Sequence, residues 1–94
     1  MLEPELALAQ ISLAAKQFDE ALARADRGLA ILPGNYMSLY QRGEGLLGLG
    51  RKDEAQAVFE EVVQTAPQDS EEYAAAAKHL GGAAPVQKQK RSKR

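Results

Sequence analysis

The feature that most constrains this chain is an internal repeat with a period of 34 residues. Displacing the sequence by that length places the segment 19–21 on 53–55, both Asp-Glu-Ala, and Pro33 on Pro67. Repeat periods of roughly 20 to 50 residues are typical of stacked supersecondary units, in which each unit buries its apolar face against its neighbours. The fold should therefore be built from copies of one local unit.

The repeated unit is predicted to be two helices joined by a tight turn. In 36–67 the second half carries apolar residues at intervals of three and four, the spacing of one helix face; they are Ala55, Val58, Phe59, Val62, Val63 and Ala66. In the first half, Leu39, Gly43 and Leu46 share one side of another helix. Gly48 and Gly50 interrupt the pattern between the halves, which indicates a helical hairpin.

A truncated third copy follows, because Tyr73, Ala77 and Leu80 continue the register of the second. We therefore predict five helices in a domain spanning 2–80, with repeats at about 2–35 and 36–69, a capping helix at about 70–80 and a disordered tail over 81–94. Asn35 is the predicted N-cap of the third helix, and Asp69 has capping-box spacing before the fifth.

The spacing in 36–67 resembles the tetratricopeptide repeat pattern, which is a 34-residue helix-turn-helix with residues of fixed type. The matching stretches here are Leu39-x2-Arg42-Gly43-x2-Leu46, then Ala55-x3-Phe59, then Pro67. The chain departs from the family at the first aromatic, at Arg42 and at Leu46, and its first copy is weaker. The resemblance implies an all-α fold, a right-handed superhelical stack of antiparallel helix hairpins.

The resemblance also implies a binding surface. In this family the first helices of successive repeats line a concave groove that receives a peptide or helix of a partner protein. The residues expected to face that groove are Leu6, Gln10, Leu13, Met37, Tyr40, Gln41, Glu44 and Leu47. The groove is expected to be mostly apolar, and Leu13 and Leu47 are equally compatible with core positions. Family members that clamp carboxylate tails use lysine and asparagine, whereas Leu6, Ala7, Tyr40 and Gln41 stand here.

Three glycines affect the expected stability of the third helix. Gly43 occupies the close-packing position of the family pattern, but Gly45 and Gly48 have no evident packing role in the sequence. Each should weaken a helix by roughly 0.5–1 kcal/mol relative to alanine. The sequence therefore suggests a loosely held third helix that becomes ordered on binding.

Charge divides the chain into an acidic body and a basic tail. Residues 1–84 carry seven basic and thirteen acidic side chains, a balance of −6. The tail has five basic side chains and no acidic one; they are Lys88, Lys90, Arg91, Lys93 and Arg94. Such a tail suits nucleic acid, an anionic surface or an acidic partner, and it is equally compatible with a solubilising terminus or with binding to its own body.

Catalysis, metal binding and membrane insertion find no support in the sequence. There is no cysteine, and the single histidine, His79, has only Ser70 nearby in sequence, so no nucleophile–base pair or ligand cluster is visible. We expect no cofactor and no enzymatic activity. No apolar run approaches the roughly 20 residues of a membrane-spanning helix, and no signal peptide is visible, which predicts a cytoplasmic protein.

We conclude from the sequence that the chain is a non-catalytic adaptor or scaffold module that binds another protein through the concave groove. The alternatives are a binder of nucleic acid or anionic surfaces through the basic tail, and a regulatory module of a larger enzyme. Two repeats and one helix fall short of the roughly three repeats that a stable stack needs. A second copy of the chain or upstream repeats are expected to complete it.

Overall fold

Five helices make up the fold that the computed structural model describes over residues 2–81. They are α1 Leu2–Ala14, α2 Phe18–Ile31, α3 Tyr36–Gly48, α4 Lys52–Thr65 and α5 Glu71–His79. No strand occurs within these residues. The predicted all-α stack of helix hairpins is confirmed, with two complete hairpins, α1–α2 and α3–α4, followed by the single helix α5.

The helices pack in chain order, and α3 is the central member of the stack. Each helix contacts the next one along the chain, from α1 to α5. In addition, α3 contacts both α1 and α5. Helix α3 therefore touches all four other helices, and side chains on it can meet side chains from either end of the molecule.

The same turn closes both hairpins. The backbone N–H of Gln17 donates to the carbonyl of Ser12 at 2.8 Å, and that of Arg51 donates to the carbonyl of Leu46 at 2.9 Å. These bonds span five residues and are typical of a helix that ends in a left-handed C-terminal cap. The turn is thus repeated at the same position of the 34-residue unit.

The predicted N-caps of α3 and α5 can be compared with the hydrogen bonds at the start of these helices. The Asn35 side chain accepts a hydrogen bond from the backbone N–H of Ser38 at 2.9 Å, as predicted. The prediction for α5 was wrong, because Ser70 and not Asp69 caps that helix. The Ser70 hydroxyl accepts from the N–H of Tyr73 at 3.1 Å and donates to the carbonyl of Pro67 at 2.7 Å.

The main core lies in the second hairpin and α5. Its fully buried members cluster between α3, α4 and α5 and include Phe59, Leu46, Val62 and Val63. The first hairpin buries mostly small residues instead, since its most buried positions are Ala9, Ala21, Ala25 and Ser12. Small side chains bury little apolar area, so the second hairpin contributes more to stability than the first.

Two glycines of α3 are packing residues, which corrects the prediction for Gly48. A Cβ atom at Gly43 would lie 2.6 Å from the Phe59 ring, and one at Gly48 would overlap the Phe18 ring. At Gly45 it would lie 3.4 Å from backbone atoms of α2, which is an ordinary contact distance. Gly45 is therefore not required by packing, and a loosely held α3 stays a prediction that rests on Gly45 alone.

Arg42, which departs from the family pattern, joins the two hairpins. Its Nε donates to Asp26 Oδ1 at 2.9 Å, so α3 is tied to α2 by an ion pair. Arg24 contacts Glu20, one turn earlier on α2, at 3.5 Å and Glu5 of α1 at 3.5 Å. Both arginines are partly exposed, and such pairs typically contribute ~0–1 kcal/mol.

Candidate functional site

A groove opens between α1, α3 and α5, with a cavity volume of about 370 Å³. We refer to it as the α1–α3–α5 groove; its lining residues are Leu6, Gln10, Met37, Tyr40, Gln41, Glu44, Glu71, Glu72 and Ala75. The first six of these are among the eight positions that the sequence analysis placed on the concave face. The structure brings them together because α1 and α3 are the first helices of their hairpins and lie in contact.

The remaining two positions lie elsewhere. Leu13 and Leu47 line a second depression of about 230 Å³ together with Phe18, Glu44 and Gly48. Leu47 is 36% exposed and Leu13 is half-buried, so neither is part of the closed core. Glu44 lines both depressions and marks the boundary between them.

Tyr40 and Glu44 form the polar centre of the groove. The Tyr40 hydroxyl donates to Glu44 Oε2 at 2.8 Å, one helical turn away on α3. Burial raises the pKa of Tyr40 well above its ordinary value, and the hydrogen bond to Glu44 and the negative charges of Glu44 and Glu72 raise it further. Tyr40 therefore presents a neutral hydroxyl donor and an aromatic ring to the groove at physiological pH.

An aromatic cluster fixes the end of α5 against α3 and α4. The His79 ring stacks on Phe59 with centroids 4.3 Å apart and an interplanar angle of 7°. Tyr40 lies at the edge of this pair, with its ring centroid 5.7 Å from that of Phe59 and its hydroxyl 3.5 Å from His79 Nε2. The sequence showed His79 only as an isolated histidine, because its partners come from two other helices.

Gln41 connects α1 to α3 beneath the groove. Its Nε2 donates to the backbone carbonyl of Leu6 at 3.0 Å, and the residue is only 8% exposed. Its Oε1 is buried and has no hydrogen-bond partner within residues 2–81. Gln41 was predicted as a partner contact, but the structure shows it chiefly as a link between two groove walls that retains one unused acceptor.

The groove is more acidic than the sequence indicated. Three carboxylates line it, from Glu44 on α3 and from Glu71 and Glu72 in the first turn of α5. The expectation of a mostly apolar face was therefore wrong. The sequence did not indicate Glu71 and Glu72 as groove residues, since their place in the groove depends on how α5 packs on α3 and not on their spacing. Among the described residues, no lysine or arginine lines the groove.

Residues 2–81 contain neither a metal-binding group of side chains nor a membrane-spanning helix. Within the part of the chain that the structure describes, no three histidine, aspartate or glutamate side chains are grouped as a metal site would require. None of the described helices combines the length and the apolar character that crossing a bilayer requires.

Two further predictions concern surfaces beyond the groove. The basic residues of the predicted tail, Lys88, Lys90, Arg91, Lys93 and Arg94, lie outside the described residues. The outer face of α1 is apolar and exposed, with Leu8 at 37% and Ile11 at 63%. Coverage of this face by a second copy or by further repeats stays a prediction.

Comparison with known proteins identifies the repeat. The family model described as tetratricopeptide repeat matches residues 12–80. Neither the curated proteins nor the solved structures gave a match to the chain. The matched range contains most of the first hairpin, all of the second and α5. Repeats of this kind generally serve as modules of protein–protein interaction. With five helices arranged as two hairpins and a cap, this chain belongs to the tetratricopeptide repeat family.

Proposed function

We propose that this chain is a non-catalytic adaptor that binds a peptide or helical segment of another protein in the α1–α3–α5 groove. The observation that carries the proposal is the convergence of three helices on one cavity of about 370 Å³. Two of them, α1 and α3, contribute the positions at which the family binds its partners. Concave sites with apolar walls and a few convergent polar groups are the usual form of a recognition site.

The groove walls suit an extended chain or one face of a helix. Leu6 and Met37 supply apolar surface, while Gln10 and Glu44 supply polar groups on the same surface. Tyr40 presents a large, partly exposed ring with a hydroxyl group. Tyrosine is enriched at the centres of protein interfaces because it combines apolar area with hydrogen bonding at a low entropic cost.

A site-specific crosslinking experiment tests this proposal. A photoreactive amino acid replaces Gln10, which is exposed at the groove, and in a matched control it replaces Gln64, which is exposed on α4 and does not line the groove. The full chain is then irradiated in a lysate of the source cell. We expect a defined protein to crosslink at Gln10 and not at Gln64.

A groove variant supplies the second arm. Met37→Lys places a positive charge on the apolar wall and should remove the crosslinked protein from the Gln10 variant without changing the circular dichroism spectrum. A protein captured equally at Gln10 and Gln64, or one unaffected by Met37→Lys, would show that binding occurs elsewhere. Capture of nucleic acid in place of protein would favour the alternative function through the basic tail.

A further inference from the structure

We propose that the α1–α3–α5 groove receives a lysine- or arginine-bearing segment of the partner protein. This inference rests on the proposed function and deepens it, because it assigns the chemistry of the segment that the groove recognises. It is carried by the charges of the groove, by the unused acceptor on Gln41 and by the position of Tyr40.

The groove carboxylates have no cationic partner in the described part of the chain. The ion pairs of residues 2–81 join Arg24, Arg42 and Arg51 to carboxylates outside the groove. Glu44 accepts a hydrogen bond from the neutral Tyr40 hydroxyl, and none of the ion pairs involves Glu71 or Glu72. Within residues 2–81, three negative charges therefore face one cavity without a compensating cation.

The helix dipole accounts for only two of these charges, while Glu44 accepts the hydrogen bond from Tyr40. Glu71 and Glu72 stand in the first turn of α5, where the positive end of the helix dipole favours acidic residues. Glu44 lies well inside α3, beyond the reach of that helix's N-terminal dipole. The formation of α3 and α5 as helices does not require Glu44 to share a cavity with Glu71 and Glu72.

Gln41 gives an independent indication that a donor is missing from the groove. The residue is 92% buried, lines the cavity and leaves its Oε1 without a hydrogen-bond partner in the described structure. Its Nε2 donates to the Leu6 carbonyl, which fixes the orientation of the amide and prevents a flip that would expose the amino group. Buried acceptors are usually paired. Because Oε1 itself has almost no exposed surface, an N–H group entering from the groove would satisfy it after a small shift of the side chains around it.

Lysine and arginine combine the features that the groove offers to a ligand. Their alkyl stems suit the apolar wall formed by Leu6 and Met37, and their charged heads donate several hydrogen bonds but accept none. The face of the Tyr40 ring attracts a cation placed over it. Carboxylates of Glu44 and Glu72 lie on the same cavity and are natural acceptors for such a head.

The test begins with a random-peptide display selection on the full chain, followed by fluorescence anisotropy with the strongest selected peptide. We expect the selected peptides to be enriched in lysine and arginine. Replacing those residues of the peptide by norleucine should weaken binding at least about tenfold, as loss of charge-assisted bonds does. Affinity should also fall several-fold between about 50 mM and 300 mM salt, over which the screening length shortens.

Matched variants of the protein locate the effect. Glu71→Gln combined with Glu72→Gln should weaken binding about tenfold. Glu60→Gln combined with Glu61→Gln makes the same change in net charge on an exposed adjacent pair of α4 and should change affinity less than about twofold, as a distant screened charge does. Because the first pair also interacts with the α5 dipole, Glu44→Gln in α3 provides a second groove variant, and it should weaken binding in the same direction.

The outcomes separate this inference from the proposed function. Selected peptides that crosslink at Gln10 but lack lysine and arginine, or that bind the Glu71 and Glu72 variant unchanged, would overturn the inference and leave groove binding intact. Peptides that do not crosslink at Gln10 would overturn both, as would a display selection that yields no binding peptide at all. A last variant replaces the five basic tail residues by glutamine. If peptide affinity then rises about fivefold or more, the tail of the intact chain competes with the peptide for the groove. That result would assign the groove to the chain's own tail and would overturn the partner assignment.

Discussion

Lys16 and Gly50, which are separated by one full repeat, adopt the same left-handed backbone conformation, with φ values of 61° and 81°. Each lies two residues beyond the end of the first helix of its hairpin, in the turn that leads to the second helix. Glycine adopts this conformation freely, whereas a residue with a Cβ atom is strained in it by roughly 1–2 kcal/mol. The two hairpins thus use the same turn, but only the second has glycine, the less strained residue, at the left-handed position.

Lys16→Gly should therefore stabilise the protein by about 1 kcal/mol, despite the greater freedom of glycine in the unfolded chain. Urea denaturation followed by circular dichroism would measure the change as a higher midpoint at an unchanged slope. Lys16→Ala is the control, since it removes the charge but keeps the Cβ atom, and it should give no such gain. Equal effects of the two substitutions would show that the lysine charge, and not the backbone, limits stability here.

Two glycines of α3 should respond to alanine in opposite directions. A Cβ atom at Gly43 would meet the buried Phe59 ring, which is held by its stack with His79, so Gly43→Ala should cost about 1–3 kcal/mol. At Gly45 the nearest atoms are at ordinary contact distance, and the better helix propensity of alanine should raise stability by about 0.5–1 kcal/mol. Thermal denaturation of both variants would test this, and a loss of stability with Gly45→Ala would contradict it.

The N-cap of α5 offers a comparison between neighbouring residues. Ser70→Ala removes the acceptor of the Tyr73 N–H and should lower the free energy of unfolding by about 1 kcal/mol. Asp69→Ala removes the cap that the sequence predicted and should change it by less than about 0.5 kcal/mol. Amide exchange of the first turn of α5 should accelerate only in the Ser70 variant. A larger effect at Asp69 would mean that the cap differs in solution.

Tyr40→Phe should alter stability in a pH-dependent way. The pKa of Tyr40 is raised in the folded protein, so folding favours the neutral phenol. That stabilisation is complete below the unfolded value of about 10 and is lost as the pH rises above it. At neutral pH the variant loses the hydrogen bond to Glu44 and should be less stable by about 0.5–1.5 kcal/mol.

The measurement for this prediction is the stability difference between wild type and variant at several pH values between about 8 and 11, spanning the titration of tyrosine. Because Tyr36 and Tyr73 are present in both proteins, the difference isolates Tyr40. We expect it to shrink above pH 10, as the tyrosinate form becomes accessible to the unfolded chain. A difference that stays constant over this range would contradict the structural account of Tyr40.

Features that depend on local spacing were predictable from the sequence. The 34-residue period and the apolar stripes gave the five helices, and Asn35 gave the N-cap of α3. The placement of six groove residues followed from the family pattern, because the first helices of neighbouring repeats lie side by side. These features are determined by residues that lie within one repeat or in two neighbouring repeats.

Features that depend on contacts between distant residues were not predictable in the same way. Gly48 packs on Phe18, thirty residues away in the sequence, and His79 stacks on Phe59, twenty residues away. The acidity of the groove was not predictable because it depends on where α5 lies on α3. The packing role of Gly48 was indicated only by its being a glycine next to a helix end, which is equally typical of a turn.

The contact of α3 with every other helix has a consequence for how the groove meets its ligand. Since α1 and α5 both pack on α3, and Gln41 ties α3 to α1, opening or closing the groove around a guest would have to break contacts that the structure already makes. The cavity is therefore formed before binding. Most of the conformational entropy that is lost on association should be lost by the incoming segment. Selectivity would then arise mainly from which segments fit the existing shape and charge, with little contribution from adjustment of the protein.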